Sequence, residues 1–233
     1  MGIVAGAGLA LGPGATLPAA AQPQDDAQPA GHRSDRTTIQ MLIFDGFEVT
    51  DALAPFDTWK IAGHLGAPID TRLVALNDAS EVTALDGVRV KPTAPFSPFA
   101  DILVVPGAPA LVRSGQQPPG LNAVLTAWRS AHRTLATVCT GAVHAARAGV
   151  LTGRNVNTHH SSHDVIRALG VNLVKARVVD DGNIISSGGV TSGIDLALHL
   201  IERYAGPPHA LATEEVLEYE RRGTVWRLPW RIP

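Results

Sequence analysis

From about position 38 the chain alternates short runs that are apolar throughout with longer stretches where apolar residues recur every three or four positions. Residues 38–44 predict a first strand, ended by Asp45-Gly46. Val49, Leu53, Phe56 and Ile61 then recur at near-helical spacing. Residues 71–76 predict a second strand. Residues 82–84 and 88–90 flank Asp86-Gly87, a hairpin signal. Residues 102–105 form a short apolar strand ending at Pro106-Gly107, and Leu121, Val124, Leu125 and Trp128 mark a helix. Residues 135–138 are again an apolar strand, followed by a small-residue helix over 141–148. A strand over 156–158, a helix over 164–169, and a hairpin of 177–179 with 184–186 around Asp181-Gly182 come next. Helices over 194–204 and 209–219 close the pattern, and no internal repeat is present.

Alternating strands and helices, with strands too apolar to have a wet face, predict an α/β fold. It is a single, doubly wound, mostly parallel sheet sandwiched by helices. Ligands of such sheets sit at the carboxyl ends of the strands. Three of those ends carry suggestive residues: Pro106-Gly107, Cys139-Thr140-Gly141 and Gly188-Gly189.

Composition narrows the field. Of 233 residues, 45% are hydrophobic and 17% charged, enough apolar material for one sizeable core. The net charge of −2 gives no electrostatic reason to expect nucleic acid or an anionic membrane as partner. The first 37 residues differ from the rest. A small-residue apolar run from Ile3 to Leu11 leads to Ala19-Ala20-Ala21, which reads as an export signal without a basic start. A Pro-, Asp- and Gln-rich linker follows, expected to be disordered. The expected organisation is therefore signal and linker over 1–37, a domain over 38–220 and a tail over 221–233. An exported protein is expected, with no membrane insertion after signal removal; a cytoplasmic one is the alternative if the leader is no signal.

The single cysteine, Cys139, excludes an intrachain disulfide and stands between an apolar strand and a small-residue helix. A residue on such an elbow is forced into a strained conformation at the sheet's carboxyl edge. The amides and dipole of the following helix favour thiolate over thiol. Gly141 lets that helix pack close to the strand. A lone cysteine after an apolar strand is more often inert core; the elbow position reverses that weighting.

Val138-Cys139-Thr140-Gly141-Ala142, with Val104-Val105-Pro106-Gly107 before it and Thr158-His159 after it, resembles the ThiJ/PfpI superfamily. The resemblance extends to Asp51-Ala52-Leu53-Ala54-Pro55 and to residues 188–195, and is strongest with the isonitrile hydratase branch. It implies a flavodoxin-like, class I glutamine amidotransferase-like fold with Cys139 as nucleophile. Asp51 is then the neighbouring general acid or base, and Thr140 the branch-typical third catalytic residue. Gly107, Ala108, His159 and Gly189 are implied to line the substrate or steady an anion. The family's second glycine is Ala108 here, and its first glycine after the aspartate is Ala54. Both replacements bear on pocket size. From local sequence alone, Asp51 reads more readily as a helix cap; its place in the family pattern reverses that weighting.

The activity so implied is hydration of R–N≡C to an N-substituted formamide through a thioimidate on Cys139, with no cofactor and in a homodimer. The partner expected is a small-molecule electrophile. The alternatives are a sister activity on glyoxal-type carbonyls, or a non-catalytic module whose cysteine senses oxidants or a ligand. A regulator is set aside, because the segment after Tyr219 is too short for a helix-turn-helix domain. His159, His160 and His163 suggest zinc only if they share a helix face. No carboxylate or second cysteine completes such a set, so no metal is expected. Asp195, early in a helix, reads at least as readily as a structural partner of the helix dipole as a catalytic residue.

Overall fold

The structure, a computed structural model, describes residues 36–228. Its elements are β1 (Thr37–Ile43), α1 (Val49–His64), β2 (Ile69–Ala75), β3 (Val82–Thr83), β4 (Arg89–Val90), β5 (Ile102–Val105) and α2 (Pro109–Arg113). Then come α3 (Leu121–Ser130), β6 (Thr134–Thr137), α4 (Gly141–Arg147), β7 (Asn155–Val156), α5 (His163–Ala168) and β8 (Asn172–Leu173). The last are β9 (Val178–Asp181), β10 (Ile184–Ser187), α6 (Ser192–Ala205), α7 (Pro207–Leu217) and β11 (Trp226–Arg227).

The main sheet runs β11-β9-β10-β6-β5-β1-β2 and is parallel except where β9 meets β10. Strand order reverses at β1: β2 lies on one side of it and β5, β6 and β10 on the other. Such a reversal opens a crevice at the carboxyl edge, because the connections leave toward opposite faces. The interior strands explain their composition: every residue of β5, Ile102-Leu103-Val104-Val105, is buried. On one side α1 packs with α6 and α7, with the Trp59 indole N–H donating to the Ala197 carbonyl at 3.2 Å. On the other, α3 packs with α4 and α4 with α5.

Several expected elements are adjusted. The strand expected over 156–158 is Asn155–Val156 only. Asn157 and Thr158 leave it to bond Ser186 and the Cys139 carbonyl instead. β7 pairs in parallel with β8, a small unit apart from the main sheet. The short α2 follows Ala108 with Pro at its first position, where a missing N–H costs nothing. Part of the expected tail belongs to the sheet, since β11 pairs with β9 at its edge. The expected export segment, and Trp230 at the other end, lie outside the described residues. Among the described residues, no helix is long and apolar enough to cross a membrane.

Candidate active site

Glu48 closes the β1–α1 connection and caps α1, its side chain accepting the Asp51 N–H at 2.8 Å. The capping role that Asp51 could have filled is thus taken. Asp51 stands inside the first turn, fully buried, with its carboxyl free for other work. Pro55, four residues on, has no N–H to give the Asp51 carbonyl. Its ring packs instead toward the first turn of α6, at Gly193. The Asp-x-x-x-Pro pattern is therefore a packing device as well as a family mark.

Asp51 Oδ2 accepts the Gly107 N–H at 3.0 Å, and Thr140 Oγ1 accepts the Ala108 N–H at 3.0 Å. Both amides after β5 are occupied by side chains, so they serve the site by locating Asp51 and Thr140. Gly107 has to be glycine, since a Cβ there would stand 2.5 Å from Asp51 Oδ2 and 2.7 Å from Thr140 Oγ1.

Cys139 has φ 57, the strained elbow that the strand-to-helix turn predicts, and is 3% exposed. Its backbone is tied on both sides: its N–H donates to the Gly188 carbonyl at 2.9 Å, and its carbonyl accepts the Thr158 hydroxyl at 2.8 Å. Behind it, α4 lies so close to β5 that a Cβ on Gly141 would stand 2.2 Å from the Val105 carbonyl oxygen. The thiol is a hydrogen-bonding neighbour of the Asp51 carboxyl and of the backbone N–H groups of Thr140 and Val190.

The electrostatics correct one expectation. Burial, and then the charge of Asp51, push the Cys139 thiol up to about 12, against the pull of the Val190 and Thr140 amides. The elbow does not deliver a standing thiolate. The thiol is nearly sealed from water, and α4 has only seven residues from which to build a dipole. Burial, and then the charge of Glu48, likewise raise Asp51 from 3.8 to about 8. Asp51 Oδ1 is buried with no donor facing it. A proton on Asp51 relieves that, turning the carboxyl into a donor toward the Glu48 side chain while it accepts from the Cys139 thiol. At neutral pH the pair is a carboxylic acid next to a thiol.

His159 lies against Gly189 so tightly that a Cβ there would stand 2.3 Å from the His159 Cδ2. Its Nδ1 accepts the Ser161 N–H at 3.2 Å, and burial followed by the charges of His160 and His163 lowers its pKa. His159 precedes the 3₁₀ turn His160–Ser162 and His163 opens α5, so the three histidines do not share a helix face. Among the described residues, no group of three or more His, Cys, Asp or Glu is placed to hold a metal ion.

Sequence reasoning passed over Glu48, because glutamate is an uncommon cap. It passed over Val190, whose contribution is a backbone N–H. It also passed over His144, buried on α4 with Nδ1 bonded to Gln117 Oε1 and its ring edge-on to Phe44. Burial, and then Arg147, push His144 down to about 4, so it is a neutral prop beneath the elbow.

A mostly parallel sheet, with one cysteine on a strained elbow facing a buried carboxyl from the first turn of the helix after β1, defines a class of cysteine-centred α/β proteins. The DJ-1/PfpI family model matches residues 37–203, and the chain belongs to that family. It is 33% identical over 184 residues to isonitrile hydratase of Pseudomonas putida, covering 78% of each chain. It is 29% identical over 193 residues to the HTH-type transcriptional regulator GbdR of Pseudomonas aeruginosa, covering 79% of this chain and 51% of that one. The chain thus spans about half the length of that regulator. A ThiJ/PfpI family protein from Pseudomonas syringae shares the fold, with a TM-score of 0.70 at 23% identity over 93% of this chain and 85% of that one.

Proposed function

We propose that the protein hydrates an isonitrile, R–N≡C, to the corresponding N-substituted formamide. The observation that carries the reading is the fully buried Asp51 carboxyl, held by the Gly107 N–H beside the Cys139 thiol, where burial raises its pKa and favours the acid form. The 33% identity to isonitrile hydratase supports it independently.

An isonitrile carbon is both electrophile and proton acceptor, so its addition partner must deliver a nucleophile and a proton to one atom. A thiol beside a carboxylic acid supplies both. Asp51 accepts the thiol proton on one oxygen while giving its own proton to the isonitrile carbon. The sulfur–carbon bond forms, and R–N=CH–S–Cys139 results with the carboxyl protonated again. Water then adds to the thioimidate carbon, assisted by Asp51. The carbon–sulfur bond breaks, the thiol regains its proton, and R–NH–CHO leaves. The Thr140 and Val190 amides steady the sulfur as it carries negative charge. Nothing is oxidised or reduced.

The test is formamide production from cyclohexyl isocyanide by the full chain, beside Cys139→Ala and Asp51→Asn. We expect turnover by the parent and losses of at least about 100-fold in both variants. A folded parent that yields no formamide sinks the reading. Consumption of methylglyoxal instead would move the activity to glyoxal-type carbonyls.

A further inference from the structure

Val190 supplies one of the two amides that face the Cys139 sulfur, and it does so from an unfavourable conformation. Its φ is 40, in the left-handed region that a β-branched residue rarely enters. It follows Gly188-Gly189 and precedes α6, so no strand or helix holds it. Such a conformation persists only where its surroundings over-determine it.

Those surroundings are a side-chain network that does not touch the thiol. Arg177 stands just before β9, and its carbonyl accepts the Gly188 N–H at 3.0 Å. Gly188 in turn accepts the Cys139 N–H. The Arg177 guanidinium reaches past Val190 to the far end of the turn. There Nη2 donates to Thr191 Oγ1 at 3.0 Å and Nε donates to Asp195 Oδ2. Asp195 is 3% exposed in the first turn of α6 and also accepts the Tyr219 hydroxyl and the Arg222 N–H, each at 2.9 Å. One arginine therefore grips the strained turn by backbone before Val190 and by side chain after it.

We propose that Arg177 and Asp195, braced by Tyr219, are positioning residues that hold the 188–191 turn so that the Val190 N–H meets the Cys139 sulfur. The proposal deepens the reading above, but its effect on the sulfur does not depend on which electrophile is attacked. The titratable groups facing the thiol region are Asp51 on α1 with its capping neighbour Glu48, and His159 against Gly189. The Arg177–Asp195 pair stands one layer further out, its charges opposed.

Cys139 is the sole cysteine, so alkylation of the full chain by iodoacetamide reports on it alone. The rate is followed from about pH 6 to about pH 10, below and across the usual thiol range. Asp195→Asn separates the two ways the network can act. Removing an anion makes the thiolate easier to form, whereas losing the amide makes it harder, so the effects have opposite signs. Positioning predicts that alkylation at a fixed pH falls about tenfold, a displacement of one unit. Thr191→Val keeps every charge and cuts only the link beside Val190, and we expect a smaller fall in the same direction. A purely structural role would lower the melting temperature and leave the alkylation profile in place. An unmoved or faster profile in Asp195→Asn, with Thr191→Val matching the parent, overturns the proposal. If Asp195→Asn does not fold, Thr191→Val decides alone: slower alkylation supports it and parental alkylation overturns it. A parent inactive on isonitriles would defeat the reaction assignment and leave this measurement intact.

Discussion

Asp51 Oδ2 accepts the Gly107 N–H at 3.0 Å, and a methyl group on Gly107 would stand 2.5 Å from that same oxygen. The backbone after β5 and the carboxyl on α1 are therefore fitted to each other with no room for a side chain between them. Thr140 Oγ1 borders the same space, at 2.7 Å from the position of that methyl. Gly107→Ala must push Asp51, Thr140 or both away from Cys139. We expect activity to fall at least about 100-fold, with an overpacking cost of about 1–3 kcal/mol. Kinetics set beside a urea melt would check it: a variant of parental activity would show that the site has slack the geometry denies.

Asp51 makes the protein less stable than it need be. Its carboxyl is raised in the folded chain, from 3.8 to about 8, so the folded state holds the proton more tightly than the unfolded one. The stability this gives is complete below pH 4 and is lost progressively as the pH rises toward 8. Asparagine can still accept the Gly107 N–H and has no charge to bury. Asp51→Asn should therefore be more stable than the parent, by a margin that grows from about pH 4 to about pH 8 and then levels. At about 1.4 kcal/mol per unit, half of the displacement already gives roughly 3 kcal/mol. Denaturant melts at pH 5 and pH 8 would test this, and equal margins at both would refute it.

The same carboxyl holds the thiol in check. Its charge is the second cause, after burial, of the rise of Cys139 to about 12. Asp51→Asn removes that charge, so the thiol should ionise at lower pH than in the parent. Alkylation by iodoacetamide at pH 9 should be faster in the variant, although isonitrile turnover is lost. Slower alkylation would mean that Asp51 promotes the thiolate, and the acid role assigned to it would have to be given up.

Much of this site is legible in the sequence, and what is not has a physical reason. The strands at 102–105 and 135–138 are short, wholly apolar and followed by turn residues, so Cys139 falls on an elbow by simple pattern. Asp51 is different. A carboxylate at a helix start reads as a cap, and only the positions of Glu48 and Gly107 show that it faces inward. The thiol's protonation is not legible there, because sequence shows where a helix begins but not how thoroughly its first turn is sealed. Val190 acts through its backbone, which no side-chain pattern advertises. Arg177 just before β9 and Asp195 on α6 lie 18 positions apart, so their pairing is a property of the fold.

Gly141 offers the sharpest test of the packing behind the nucleophile, because two rules disagree on its sign. It is the first residue of α4, and alanine is the better helix former by about 1 kcal/mol. Its φ lies outside the left-handed region, so backbone strain gives no objection. By propensity alone, Gly141→Ala stabilises. The added methyl, however, would stand 2.2 Å from the Val105 carbonyl oxygen and 2.9 Å from that of Pro106. Both are backbone atoms on a buried strand and its exit, which cannot swing aside as a side chain would. Relief requires α4 to move away from β5, carrying Cys139 and Thr140 with it. Steric cost should win, with a net loss of roughly 2–4 kcal/mol and loss of turnover. Gly149→Ala is the control, since a Cβ there meets nothing within 4 Å and the position carries only the φ of 75. It should cost about 1 kcal/mol and leave the alkylation rate of Cys139 unchanged. Melts and alkylation rates of the two variants side by side decide the matter: a Gly141→Ala protein as stable as the parent would mean that α4 is not held against β5 at all.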